Sequence, residues 1–348
     1  MSNPNKTCFL PEPRDTNSFG SSVAINNKYF VVGDPGASKA IVYILDDSKK
    51  WVRTREILPP ADLDLSEHSS IFGYGLELNG DILTINARTE NPANKIASAH
   101  LPRLARIRDR YSGWRYLINL KTGTEVKLIK PLMKKEPDMV WFNLLRRDKI
   151  EQFVLPDMGE KLFGSDIALD RNLLLVGSPS YTEAGGAWLF DLEHLEVEPI
   201  KIVPENIDFA TISFGGTVAV SHQFVAIGHN GRLWGTPVSM YPYPNNPHPF
   251  AKTLVKNLKN GSTKVIDSCG KLSLSKDILA VMRPGSPDWE QRPLLEVFYL
   301  DENATPHLII RRTNVSDAWV QNGFLVFVKY LSDFRFSQVC IESLPKEN

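Results

Sequence analysis

FGSSVAINNKYFVVGDPG, residues Phe19–Gly36, contains a whole structural unit. It opens on Phe-Gly and continues into an alternating run marked by Val23 and Ile25. A polar turn, Asn26-Asn27-Lys28, leads to an apolar run, Tyr29-Phe30-Val31-Val32, and the stretch closes on Gly-Asp-Pro-Gly. Alternation at period two fits a strand with one buried face, and a continuously apolar run fits a strand covered on both faces. Together they predict a β-hairpin.

The unit recurs. FGYGLELNGDILTINART begins at Phe72, FGSDIALDRNLLLVGSPS at Phe163, FGGTVAVSHQFVAIGHNG at Phe214 and CGKLSLSKDILAVMRPGS at Cys269. Two further strand-like runs follow most copies: AIVYILDD (Ala40–Asp47) and TREILPP (Thr54–Pro60) in the first, GAWLFDLEH (Gly186–His194) and EPIKIVPE (Glu198–Glu205) in the copy from Phe163. That makes four strands per unit, with polar, proline-bearing outer strands suited to a sheet edge. The copies lie roughly 50 residues apart, except for one step of nearly two units, a period that matches the blades of a β-propeller. A weaker copy, SGWRYLINLKTGTEVKLIKPL (Ser112–Leu132), falls inside the long step, with DMVWFNLLRRDK (Asp138–Lys149) and IEQFVLPD (Ile150–Asp157) as its outer strands. A shortened copy, DAWVQNGFLVFVKY, starts at Asp317.

The expected fold is therefore all-β: a seven-bladed β-propeller of four-stranded antiparallel blades forming one domain over residues 1–348. The expected blades are 15–62, 68–111, 112–158, 159–207, 210–262, 265–313 and 316–346. The last blade runs one strand short, and KTCFLPEP (Lys6–Pro13) resembles the missing outer strand, so a closing strand over residues 6–13 is expected to complete the ring and remove its open edges. Cys8 and Cys340 then fall on adjacent strands, expected as reduced thiols.

The five stronger copies resemble FG-GAP repeats, the Phe-Gly units of integrin α-chain propellers and of many bacterial propeller proteins. Gly33-Asp34-Pro35 and Gly177-Ser178-Pro179 fit the second half of that motif, Gly228-His229-Asn230 keeps only its glycine, and Arg88-Thr89-Glu90 and Arg283-Pro284-Gly285 depart from it. The resemblance implies the fold rather than an activity, because one fold hosts many functions. Many members carry a calcium loop, Asp-x-Asp/Asn-x-Asp-Gly. No such string occurs here, and the nearest acidic cluster, Asp62–Glu67, lacks the turn glycine, so neither calcium nor another cofactor is expected.

Charge narrows the partners. Forty Lys and Arg balance forty Asp and Glu, so no net field draws in nucleic acid or an anionic membrane. The basic stretches Arg103–Tyr111 and Leu144–Lys149 read as polar outer-strand surface, and the proline-rich Tyr241–Phe250 reads as a connection between outer strands. Three scattered cysteines, Cys8, Cys269 and Cys340, are too few for a disulfide framework or a zinc site. The start, MSNPNKTCFLPEP, shows no signal-peptide pattern, and no apolar run is long enough to span a bilayer. A soluble, cytoplasmic protein is expected, in which the sequons at Asn5, Asn260, Asn303 and Asn314 are chance matches.

The recognition surface is expected where second strands hand over to third strands. Those loops are Asp34–Lys39, Arg88–Lys95, Lys134–Asp138, Ser178–Gly185, His229–Gly235, Pro284–Arg292 and Leu331–Arg335. GHNGRLWGTP brings together His229, Arg232 and Trp234, RPGSPDWEQRP carries Arg283, Asp288, Trp289, Glu290 and Arg292, and the preceding unit supplies Tyr181 and Glu183. Arg and Trp are enriched at binding hot spots, so Arg232, Trp234, Arg283, Asp288, Trp289 and Arg292 are the candidate ligand-binding residues. His229, His68, Tyr181 and Glu183 are the candidate acids and bases. No histidine pair has metal spacing, and no Gly-x-Ser-x-Gly elbow offers a nucleophile. Two functions stay open: a scaffold that binds a protein, glycan or small molecule on its loop face, and a metal-independent lyase, cyclase or isomerase with acid/base residues in the central funnel. Oligomeric state is not legible.

Overall fold

The computed structural model describes residues 6–9, 18–59, 71–88, 114–123, 125–129, 139–146, 149–156, 166–179, 185–204, 214–229, 252–268, 270–283, 293–330 and 337–344. Among them the secondary structure is all β apart from one short 3-10 turn, Pro35–Ala37, and no helix is long and apolar enough to cross a membrane. The strands form six four-stranded sheets and one two-stranded sheet. The chain divides into two compact units, residues 1–157 with 328–348, and residues 158–327.

In the first unit, β1 (Lys6–Phe9) precedes a sheet of order β2 (Ser22–Ile25), β3 (Tyr29–Asp34), β4 (Lys39–Leu45) and β5 (Trp51–Ile57), antiparallel throughout. All six residues of β3 are buried, as its apolar run predicts. All four residues of β2 are buried too, where the alternation predicts one exposed face. The alternation is one of size: Val23 and Ile25 are large, while Ser22 and Ala24 are small enough to let a second sheet approach. Ala24, Val31 and Val42 pack into one core with Phe72, Leu76, Leu78, Leu83 and Ile85, which belong to β6 (Ile71–Asn79) and β7 (Ile82–Arg88). Face-to-face packing of consecutive meander sheets is the arrangement of propeller blades.

The second sheet continues with β8 (Trp114–Asn119) and β9 (Glu125–Ile129). This differs from the sequence reading, which opens a new blade at Ser112. The connection between β7 and β8 spans residues 89–113, long enough that the third strand falls where another unit would begin. The two-stranded sheet follows, β10 (Met139–Arg146) against β11 (Lys149–Pro156) in continuous register.

The second unit repeats the plan three times: β12 (Ile167–Asp170), β13 (Leu173–Ser178), β14 (Gly186–Asp191) and β15 (Ile200–Ile202); β16 (Phe214–Val220), β17 (Phe224–His229), β18 (Thr253–Asn257) and β19 (Thr263–Ile266); β20 (Lys271–Ser275), β21 (Ile278–Arg283), β22 (Leu294–Leu300) and β23 (Pro306–Thr313). Phe214, Val218 and Ile227 share a core with Leu175, Leu189 and Ile202 of the preceding sheet. Ala219, Phe224 and Val255 share another with Leu272, Val281 and Phe298 of the following one.

The last sheet has the order β1, β26 (Ser337–Ser343), β25 (Phe324–Tyr330), β24 (Val315–Gln321). β1 runs antiparallel to β26, with Phe9 opposite Val339 and Cys8 opposite Cys340. The two cysteines are joined as a disulfide, their Cα atoms 4.0 Å apart. This corrects the expectation of reduced thiols, which rested on the small number of cysteines; direct cross-strand pairing matters more than the count. Phe9 also packs, with its ring tilted, against Phe30 and Tyr43 of the first sheet, at ring-centroid distances of 5.5 and 4.7 Å. Gly20 lies against Val328 and Val339.

Candidate functional site at the rim of the second unit

The Phe-Gly pair sets the rim. Gly215 has φ +86, and a Cβ added there would sit 1.9 Å from the Gly186 carbonyl oxygen; one added to Gly177 would sit 2.2 Å from the Gly215 carbonyl oxygen. The end of β13 therefore lies directly against the Phe-Gly turn that opens the next sheet. Gly33 and Gly73 repeat the relation in the first unit, at 2.0 Å.

Side chains three residues after the repeat phenylalanine fasten neighbouring sheets at this rim. Ser22 Oγ donates to the Gly73 carbonyl at 2.8 Å, Asp166 Oδ2 accepts from Val218 N at 2.9 Å, and Thr217 Oγ1 accepts from Leu272 N at 3.3 Å. Ser221 Oγ, in the hairpin turn, donates to the Lys276 carbonyl at 2.6 Å. Sequence reasoning missed these residues, because a serine, an aspartate and a threonine share only their offset, which other copies fill with Gly75 and Leu272.

On this frame His229 ends β17 opposite Phe214, and Arg283 ends β21 opposite Leu294. Arg283 is half-buried. Ser178, buried, ends β13 opposite Gly186. The three successive second strands of this unit thus finish at one rim. The segments bearing Tyr181 and Glu183, Arg232 and Trp234, and Asp288, Trp289 and Arg292 each leave from it. Those seven residues, and His68 of the first unit, lie outside the described residues.

At the Asp34–Lys39 loop the charged ends are withdrawn from the surface, although Gly36 is exposed. Asp34 is fully buried and Lys39 is 3 % exposed, so neither charge is presented for recognition. Lys39 Nζ reaches Glu56 Oε1 at 3.1 Å, and the Arg53 guanidinium bonds the same oxygen. The Lys39 ammonium, reinforced by Arg53, holds the Glu56 carboxyl below the usual carboxylate range against the opposing effect of burial. In the first unit this end of the sheet is locked by an internal ion network. Among the described residues no group of three or more His, Cys, Asp or Glu gathers as a metal site.

No family model matches the chain, and no curated protein matches it. Similar solved structures include Saccharomyces cerevisiae Sqt1, at 11% identity over 99% of this chain and 100% of that one, with a TM-score of 0.47. The phage phi92 endosialidase is 10% identical over 98% of this chain and 70% of that one, with a TM-score of 0.47. A streptogramin B lyase is 10% identical over 96% of each chain, with a TM-score of 0.46. At such values these likenesses carry no argument about activity, and the propeller-type architecture rests on the sheets themselves.

Proposed function

We propose that the chain is a β-propeller scaffold, of the FG-GAP kind its repeats resemble, that binds a protein, glycan or small-molecule ligand through the loop face of residues 158–327. The observation that carries this reading is the common rim at which β13, β17 and β21 end. The segments leaving it hold Tyr181, Glu183, His229, Arg232, Trp234, Asp288, Trp289 and Arg292, with Arg283 at the edge. Loops on a rigid β-frame combine freedom of sequence with fixed anchors, and Trp and Arg supply most binding energy where they are desolvated.

We further propose that seven blades close into a ring through β1. Three features of the first unit support this: the pairing of β1 with β26, the packing of Phe9 against Phe30 and Tyr43, and the approach of Gly20 to Val328 and Val339.

The test is the triple variant His229→Ala, Arg232→Ala, Trp234→Ala, compared with the parent on a panel of immobilised oligosaccharides and folded proteins. The variant should melt within about 2 °C of the parent and lose about tenfold or more in affinity for any ligand the parent holds. Unfolding of the variant would make these residues structural. Conversion of a bound ligand to product would replace the scaffold by a lyase, cyclase or isomerase.

A further inference from the structure

The outer strands of the sheets present unlike edges. β5 carries Arg53, Arg55 and Glu56, and β23 carries His307, Arg311 and Arg312, the charged edges by which β-proteins discourage strand addition. β15 is different. Of nine large hydrophobic residues exposed among the described residues, four lie in the nine-residue stretch around it: Leu195, Val197, Ile200 and Val203, at 44, 62, 60 and 41% exposure. Ile200 and Ile202 share one face of the strand by the period-two rule. Ile202 is buried in the core shared with Phe214 and Val218, whereas Ile200 continues that face into solvent. Lys201 points the other way, 5.3 Å from the Trp188 ring.

The charges around this apolar strip are mainly acidic, with Glu196 Oε1 lying 3.3 Å from His194 Nδ1. Glu193, Glu196 and Glu198 are exposed in the turn leading into β15, against Lys201 as the single basic residue of the stretch apart from His194. β15 also ends its sheet. A strand edge with no pairing strand among the described residues, an apolar face continuous with the core and an acidic border are together complementary to one chemistry.

We propose that Glu193–Val203 is a docking strip for an extended cationic polypeptide segment, alternating Lys or Arg with aliphatic residues, that adds to the sheet as a strand outside β15. The aliphatic side chains cover Val197 and Ile200, and the cations face the glutamates. Val203, at the end of the strip, lies against Gly186 of the rim, but the strip needs no loop residue of the proposed ligand face.

The test uses the full chain and fluorescein-labelled peptides of alternating lysine and valine, glutamate and valine, and lysine and glycine, followed by anisotropy. The lysine–valine peptide should bind about tenfold or more tighter than either control, and weaken as salt rises from about 50 to about 300 mM. Val197→Lys with Ile200→Lys, both at exposed positions, should leave the melting temperature unchanged and weaken that binding about tenfold or more. Three results would overturn the proposal: no binding, equal binding of the three peptides, or undiminished binding to the variant. A concentration-dependent dimer abolished by the same two substitutions would overturn it as well, by making a second copy the occupant.

Discussion

Gly215 shows how a single residue sets the spacing of two sheets. Its φ of +86 lies in the left-handed region, and its missing Cβ leaves room for the Gly186 carbonyl. Gly261 has a similar φ, +78, but open space around it. Alanine at Gly261 should therefore cost about 1 kcal/mol, the backbone penalty alone. Alanine at Gly215 meets main chain, which does not yield as a side chain does, and should cost at least twice as much. Urea unfolding of the two variants checks this; equal losses would mean that the rim relaxes freely. The repeat phenylalanine was legible for the same physical reason: Phe19, Phe72 and Phe214 are all buried to 2 % exposure or less. The polar residue three places after it was not legible, because Ser22, Asp166 and Thr217 differ in chemistry and share only the task of bonding the next sheet.

Within a sheet, the cross-strand network of β4 and β5 makes stability depend on pH. Glu56 sits beside Lys39 and Arg53, which lower its folded pKa, so the unfolded chain holds more protons in the interval between the two pKa values. Stability from this group is full above the unfolded value of about 4.3 and is lost as pH falls through the folded one. Glu56→Gln should be less stable than the parent at neutral pH and should lose less on going to about pH 4. Urea midpoints at the two pH values decide this; an equal loss in both proteins would show that Glu56 is not a source of the acid sensitivity. Most elements could be read from the sequence because hairpin turns are short and local. The second sheet was misdivided where residues 89–113 intervene between paired strands, since strand pairing across a long connection leaves no periodic trace.

Across the whole molecule, the repeat made the β-architecture legible, whereas the candidate site could be read only as a set of loops. Their anchors at His229 and Arg283 follow from strand register, but the alignment of side chains from different sheets is not encoded by local spacing. The acidic, apolar border of β15 escaped because EVEPIKIV reads as an ordinary outer strand until its exposure is known. The proposed ring closure would depend on the few residues of β1, which pair with β26 and are tied to it through Cys8 and Cys340. The most direct measurement is thermal unfolding, with solution mass, of the chain lacking residues 1–13. Closure predicts a fall in melting temperature of about 5 °C or more, or self-association through the newly opened edge of β26. An unchanged melting temperature and a solution mass unchanged apart from the deleted residues would contradict it.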